Sequence, residues 1–236
     1  MTLGALLLRT TLLFAIGAVI MVLGSLRKSN AVQRARGIKF IGFFVIVHAV
    51  VLIGYLGAPG LIAIALAIVL GGAIEARRAW RLIASPRPTW LITAAVAIAG
   101  VFIYVSSRAD HAAVAWLFMV AASFDGFGQV VGQLIGRRAL VPSISPAKTI
   151  EGLVGALIGS LVVAVWLREL PGYDLDRAVL LGTAVAAASF VGDLSGSWTK
   201  RQAGIKDFSS ILPGQGGVID RFNSFVVAMA LVGAWL

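Results

Sequence analysis

The sequence predicts an all-α protein, a polytopic integral membrane bundle of about eight transmembrane helices with both termini outside the cytoplasm. Three observations predict it. Hydrophobic residues make up 59% of the 236 and charged residues only 13%, with a mean hydropathy of +0.97. Soluble domains are nearer to about 45–50% apolar and about 25% charged. Apolar stretches of bilayer-crossing length, about 20 residues, recur along the whole chain. Between them the cationic residues fall in alternate loops, as positive charge retained on one side of a membrane does. This composition excludes a disordered chain, a disulfide-built secreted domain and an ordinary soluble enzyme. The absence of cysteine also excludes zinc or iron–sulfur sites built on thiolates.

The first apolar segment runs over 4–26. It is too long, and lacks the small-residue site, to be a cleavable signal. The second and third cover 38–57 and 60–76, the third short before its basic end. The fourth covers 88–106 and the fifth 112–135. The sixth, seventh and eighth cover 151–168, 178–199 and 217–236. Arg27, Lys28, Arg34, Arg36 and Lys39 follow the first segment. Arg77, Arg78, Arg81 and Arg87 follow the third. Arg137, Arg138 and Lys148 follow the fifth, and Lys200, Arg201, Lys206 and Arg221 the seventh. These are sixteen of the twenty Lys and Arg, so the four basic loops are expected in the cytoplasm and the termini outside. The net charge of +10 then reflects topology and anionic headgroups rather than nucleic acid. Residues 1–111 form the N-terminal helices. Residues 112–236 carry the site, with two polar cytoplasmic loops at 136–150 and 200–216. Long ordered loops of this kind tend to carry function.

Two carboxylates lie within apolar segments, Asp125 in the fifth and Asp193 in the seventh. A charge at that depth costs a few kcal/mol even on mild scales, so such residues face the bundle interior and mark a site or pathway. Gly128, Gly132 and Gly136 form a small-xxx-small series that admits a neighbouring helix. Asp193, Ser197, Lys200 and Arg201 share one helical face, with Asp193 expected too deep to be solvated. The loop beyond them runs from Lys206 and Asp207 to Pro213-Gly214-Gln215-Gly216-Gly217, and the next helix opens with Asp220 and Arg221. Its glycines let backbone approach a phosphate, and the N-terminal amides of the helix after it are expected to face that phosphate. With four cations around it, polyphosphate binding is the expected use. Carboxylates together with polyphosphate oxygens are how Mg²⁺ is usually held, which singles out Asp193 and Asp220. In the other loop, Ser145 is expected to cap a helix with Pro146 at its first position. Lys148 and Glu151 would then share a face.

The run from Ser197 to Asn223 resembles the signature of the phosphatidate cytidylyltransferases, or CDP-diacylglycerol synthases. That pattern is Ser, two residues, Lys-Arg, four residues, Lys-Asp, a short gap, Pro-x-His-Gly-Gly and Asp-Arg-x-Asp. Ser197, Lys200, Arg201, Lys206, Asp207, Pro213, Gly216, Gly217, Asp220 and Arg221 match in order and spacing. Gly192-Asp193-Leu194, Asp125-Gly126 and the stretch through Ser145-Pro146, Lys148-Thr149 and Glu151-Gly152 are similar too. The resemblance covers roughly residues 120–236 of a chain that looks shorter than typical members. Gln215 stands in place of the family's His, and Asn223 in place of its second Asp.

The resemblance implies CMP transfer from CTP to phosphatidate, giving CDP-diacylglycerol and pyrophosphate. Asp193, Asp220, Lys200, Arg201, Lys206 and Arg221 would be catalytic, with Asp193 and Asp220 on Mg²⁺ and a second, monovalent cation also open. Asp125, Lys148, Thr149, Glu151, Ser197, Gln215, Gly216, Gly217 and Asn223 would bind substrate. The expected partners are CTP, phosphatidate or a related lipid phosphate, and membrane lipids, without nucleic acid; a homodimer is left open. The expected location is a bacterial inner membrane, with the site facing the cytoplasm. The alternatives are a polyprenol kinase-like or CDP-archaeol synthase-like enzyme, an inactive homologue, and a transporter using Asp125 and Asp193.

Overall fold

A computed structural model describes residues 2–26, 29–84 and 90–236, with side chains of the fourth helix described from Ala94 onward. Arg27, Lys28 and Arg87 of the basic loops lie outside the described residues. The helices are α1 Leu3–Leu23, α2 Asn30–Gly54, α3 Ala58–Leu82, α4 Trp90–Arg108, α5 His111–Ile135, α6 Ile150–Trp166, α7 Leu175–Gln202 and α8 Val218–Val232. A short hairpin, β1 Ala139–Val141 and β2 Ser145–Thr149, separates α5 from α6. Each helix overlaps one expected apolar segment, but α2 begins eight residues before its segment and α3 runs six residues past its own, so Arg34, Arg36 and Lys39 lie within α2 and Arg77, Arg78 and Arg81 within α3. Among the described residues six spans are long and apolar enough to cross a bilayer, while α6 and the described part of α4 are shorter. The protein is an all-α polytopic membrane protein, and the small antiparallel hairpin lies in a polar loop.

Local chemistry sets several boundaries. Thr2 caps α1, its hydroxyl accepting from the Ala5 amide. Asp174 caps α7, accepting from the Arg177 amide at 2.8 Å. Lys200 and Arg201 occupy the last turn of α7, where cations complement the carbonyl end of a helix. The helix therefore runs three residues past its expected end. The start of α6 differs from expectation. Ser145 and Pro146 lie in strand β2, not at a helix start, and Thr149 is the cap, accepting from the Gly152 amide at 3.1 Å. Pairing of β2 with β1 holds residues 145–149 extended, so Pro146 lies in a strand and not in a first helical turn.

Helix α5 is the centre of the bundle, with Trp116, Leu117 and Val120 fully enclosed. Trp116 Nε1 donates to the Ala164 carbonyl at 3.0 Å, which ties α5 to α6. The glycine series in α5 does what its spacing predicts. A Cβ on Gly152 of α6 would lie 2.9 Å from the Gly128 carbonyl oxygen, and one on Gly155 would lie 2.5 Å from Val131. Without strong hydrophobic drive between helices in lipid, such close backbone packing is what holds them. Leu8, Ile16 and Val19 of α1 and Ile158 and Val162 of α6 stay exposed, as lipid-facing side chains do.

Candidate active site

Helices α5, α7 and α8 and strand β2 bring three acid–base pairs together. Lys148 leaves β2 and reaches Asp193 Oδ2 at 2.7 Å, while its Nζ also donates to Ser197 Oγ at 3.3 Å. Asp193 and Ser197, four residues apart on α7, thus meet one cation, as their shared face predicts. Arg221 of α8 donates to Asp125 Oδ2 of α5 at 3.1 Å, and Ser224 donates to Asp125 Oδ1 at the same distance. Lys200 of α7 donates to Asp220 Oδ1 at 2.6 Å. Asp125 also feels the charges of Asp193 and Lys148, so the first two pairs form one electrostatic cluster. Phe43, Phe118, Phe222 and Phe225 line a pocket beside Asp125 and Arg221, and the guanidinium lies 4.7 Å from the Phe43 ring centre.

The carboxylates differ in what remains open. Asp193 has a side chain 36% exposed, more accessible than its depth in the segment suggested, and its Oδ1 has no hydrogen-bond partner among the described residues. Asp220 is 6% exposed in its side chain. Its Oδ2 accepts from the Phe208 amide at 2.7 Å and the Gly217 amide at 2.9 Å, so both oxygens are engaged. Among the described residues no group of three or more acid, His or Cys side chains converges on a point. Mg²⁺, however, commonly takes one or two carboxylates and completes its shell with substrate phosphates and water. The open oxygen of Asp193 fits that requirement. Asp220 fits it only on releasing Lys200.

The first turn of α8 corrects the phosphate-cradle expectation. The Gly217 amide donates to Asp220, and the Val218 and Ile219 amides both donate to Glu75 of α3 at 2.9 Å. The glycines make room for these carboxylates. Gly216 has φ +85°, and a Cβ there would lie 2.9 Å from Asp220 Oδ2. A Cβ on Gly217 would lie 2.6 Å from Glu75 Cδ. Glu75 was missed in the sequence. An acid inside the third apolar segment, two residues before Arg77-Arg78, was the signal that could have found it.

Other expected residues have structural partners. Thr149 caps α6. Glu151 does not share a helical face with Lys148, because Lys148 is in the strand. Glu151 instead accepts from the Arg137 and Arg138 amides at 3.0 and 3.2 Å, closing the base of the hairpin. Arg201 turns away from Lys200 and donates to the Ile144 carbonyl at 3.0 Å. Lys206 and Asp207 are exposed in the loop, with no hydrogen bond or ion pair among the described residues. Gln215 accepts from Arg221 Nη1 at 2.8 Å and donates to the Lys39 carbonyl, linking α8 to α2. Asn223 Nδ2 donates to the Gly192 carbonyl at 2.9 Å, at the close crossing of α7 and α8.

The sequence profile of the cytidylyltransferase family matches residues 3–236. A phosphatidate cytidylyltransferase of Staphylococcus haemolyticus is 36% identical over 140 residues, 58% of this chain and 54% of that protein. One from Staphylococcus aureus is 34% identical over 143 residues, 60% of this chain and 55% of its own length. One from Haemophilus influenzae is 37% identical over 120 residues, 48% of this chain and 42% of its own length. The chain spans about half the length of the curated relatives it matches.

Proposed function

The chain belongs to the cytidylyltransferase family, and from that premise we propose that it transfers CMP from CTP to phosphatidate in the membrane, releasing pyrophosphate and leaving CDP-diacylglycerol. A phosphatidate oxygen forms a bond to the α-phosphorus of CTP, and the bond from that phosphorus to the β-phosphate bridging oxygen breaks. The nucleophile is already ionised near neutral pH, so no strong general base is required. Positioning and charge neutralisation then carry the rate.

The observation that carries this reading is the set of three matched pairs, Lys148–Asp193, Arg221–Asp125 and Lys200–Asp220. Each cation is held at a defined place by an acid, so phosphates can be received without cations collapsing on one another. Lys148 extends from β2 to Asp193 and Ser197, and from there it would turn toward a phosphate. Arg221 presents a planar fork already oriented by Asp125 and Gln215, suited to two phosphate oxygens. Lys200, on Asp220 Oδ1 at 2.6 Å, would add positive charge beside them. Arg201 and Lys206 would guide the polyphosphate from the loop side. Asp193, with one oxygen open, would hold Mg²⁺, and Asp220 would stand behind it. A divalent cation held there would neutralise charge on the departing pyrophosphate. The phenylalanine-lined pocket beside Arg221 gives an apolar wall against which a lipid can present its headgroup.

The basic loops support a site facing the cytoplasm with both termini on the other side, and the bacterial relatives support a bacterial cell membrane. Purified protein should transfer label from α-labelled CTP to phosphatidate and release pyrophosphate in equal amount. Transfer to polyprenol or ether-lipid phosphates alone would replace the acceptor. Absence of transfer to every lipid phosphate would favour the inactive homologue.

A further inference from the structure

Glu75 belongs to none of the three pairs. It sits on α3, fully buried, and among the described residues no cation is paired with it. Its carboxyl accepts three hydrogen bonds, from Ser209 Oγ at 2.6 Å and from the Val218 and Ile219 amides at 2.9 Å each. A buried acid must be satisfied by donors or by opposite charge. Here the donors are the orphan amides of a helix start, where the helix dipole favours an anion. Glu75 is thus a cap for α8 supplied by another helix.

The same carboxyl accounts for Gly217, since any side chain there would run into it. Through Ser209 it also holds the loop between α7 and α8. That loop is packed on α3 as well, with Ala203 and Phe208 against Ala79 and Ile83. The residue that follows the capped amides is Asp220, the partner of Lys200, and then comes Arg221, the partner of Asp125. Displacement of the first turn of α8 moves both pairs together.

We propose that Glu75 is a positioning residue for phosphate and cation binding, setting Asp220 and Arg221 through the first turn of α8. It occupies the anion site at that helix start, so the polyphosphate is held by side-chain cations rather than by the glycine-loop amides. The role in transfer rests on the proposed cytidylyl-transfer function; the role in ordering the turn does not.

The test uses the full chain in lipid nanodiscs, as wild type and Glu75→Gln. Glutamine keeps the shape but turns an NH₂ group toward amide donors. Amide hydrogen exchange is followed in peptides covering 206–222, with α5 and α6 peptides as the control. Exchange at 217–221 should rise at least about tenfold, the scale of a lost charge-assisted hydrogen bond, while α5 and α6 stay unchanged. The CTP and Mg²⁺ concentrations giving half-maximal rate should both rise several-fold. These do not depend on the fraction of protein folded, so a purely stabilising role leaves them fixed. Unchanged exchange overturns the proposal, as does faster exchange with unchanged half-saturation. If wild type transfers no CMP to any lipid phosphate, the proposed function fails and exchange alone judges Glu75, a local rise supporting it. If Glu75→Gln does not fold, Ser209→Ala removes one donor. Half-saturation that then stays at the wild-type value overturns the proposal.

Discussion

Asp193 and Asp220 should separate when each is changed to Asn. In Asp193→Asn the lost partner is Lys148, whose ammonium also meets Ser197 Oγ and is 20% exposed in its side chain. With the acid itself 36% exposed, solvent screens the pair and the stability cost should be about 0–1 kcal/mol. In Asp220→Asn three donors lose a carboxylate at once, the Lys200 ammonium and the Phe208 and Gly217 amides. The new NH₂ group must face one of them. An uncompensated Lys200, 18% exposed in its side chain, falls in the range of a broken buried pair, about 3–5 kcal/mol. At roughly 2–4 °C per kcal/mol, the second variant should melt of the order of 10 °C lower and the first nearly at the wild-type temperature. Both should lose activity. Asp193→Asn should lose roughly 10²–10³-fold in kcat, because neutralising charge at the transferring phosphorus is a large contribution. The assays are tryptophan-fluorescence melting in detergent and cytidylyl transfer at saturating CTP across Mg²⁺ concentrations. Near-normal, Mg²⁺-dependent turnover in Asp193→Asn refutes its cation role. Equal melting shifts in the two variants refute the reasoning from hydrogen-bond partners.

The other predictions concern topology, packing and the two departures from the family pattern. Single cysteines at Ser29 and Ser210 in this cysteine-free chain should be protected from an impermeant thiol reagent in intact cells, whereas one at Pro171 should react. Labelling of Ser210→Cys from outside would invert the orientation. Gly152→Ala pushes a methyl against the Gly128 carbonyl and the Thr149 hydroxyl and should cost about 1–3 kcal/mol, read as a lower melting temperature. Asn223→Asp removes the donor to the Gly192 carbonyl and should destabilise by about 1–3 kcal/mol, while changing the cation profile more than CTP affinity. Gln215→His should keep turnover within about tenfold if it still accepts from Arg221; an inactive wild type revived by both reversions together would identify a dead site.

The eight apolar segments, the acids Asp125 and Asp193 within them and the cation-rich loop between α7 and α8 are legible along the chain. Those properties are local. Hydropathy over some twenty residues, a charge within it, and the spacing of Asp193, Ser197 and Lys200 along one helix can all be read without knowing what lies opposite. The glycine series was legible for the same reason, because a stripe of small residues serves only close approach. Pairing between helices is a different matter. Whether Lys148 shares a face with Glu151 or reaches Asp193 depends on a hairpin that turns a presumed helix start into a strand. Whether the glycine loop faces a phosphate or a carboxylate depends on Glu75, whose hydrogen-bond partner Ser209 lies 134 residues away. No periodicity encodes such a contact. It arises only when α3 is packed beside the start of α8, and there a buried acid and a row of unpartnered amides satisfy one another.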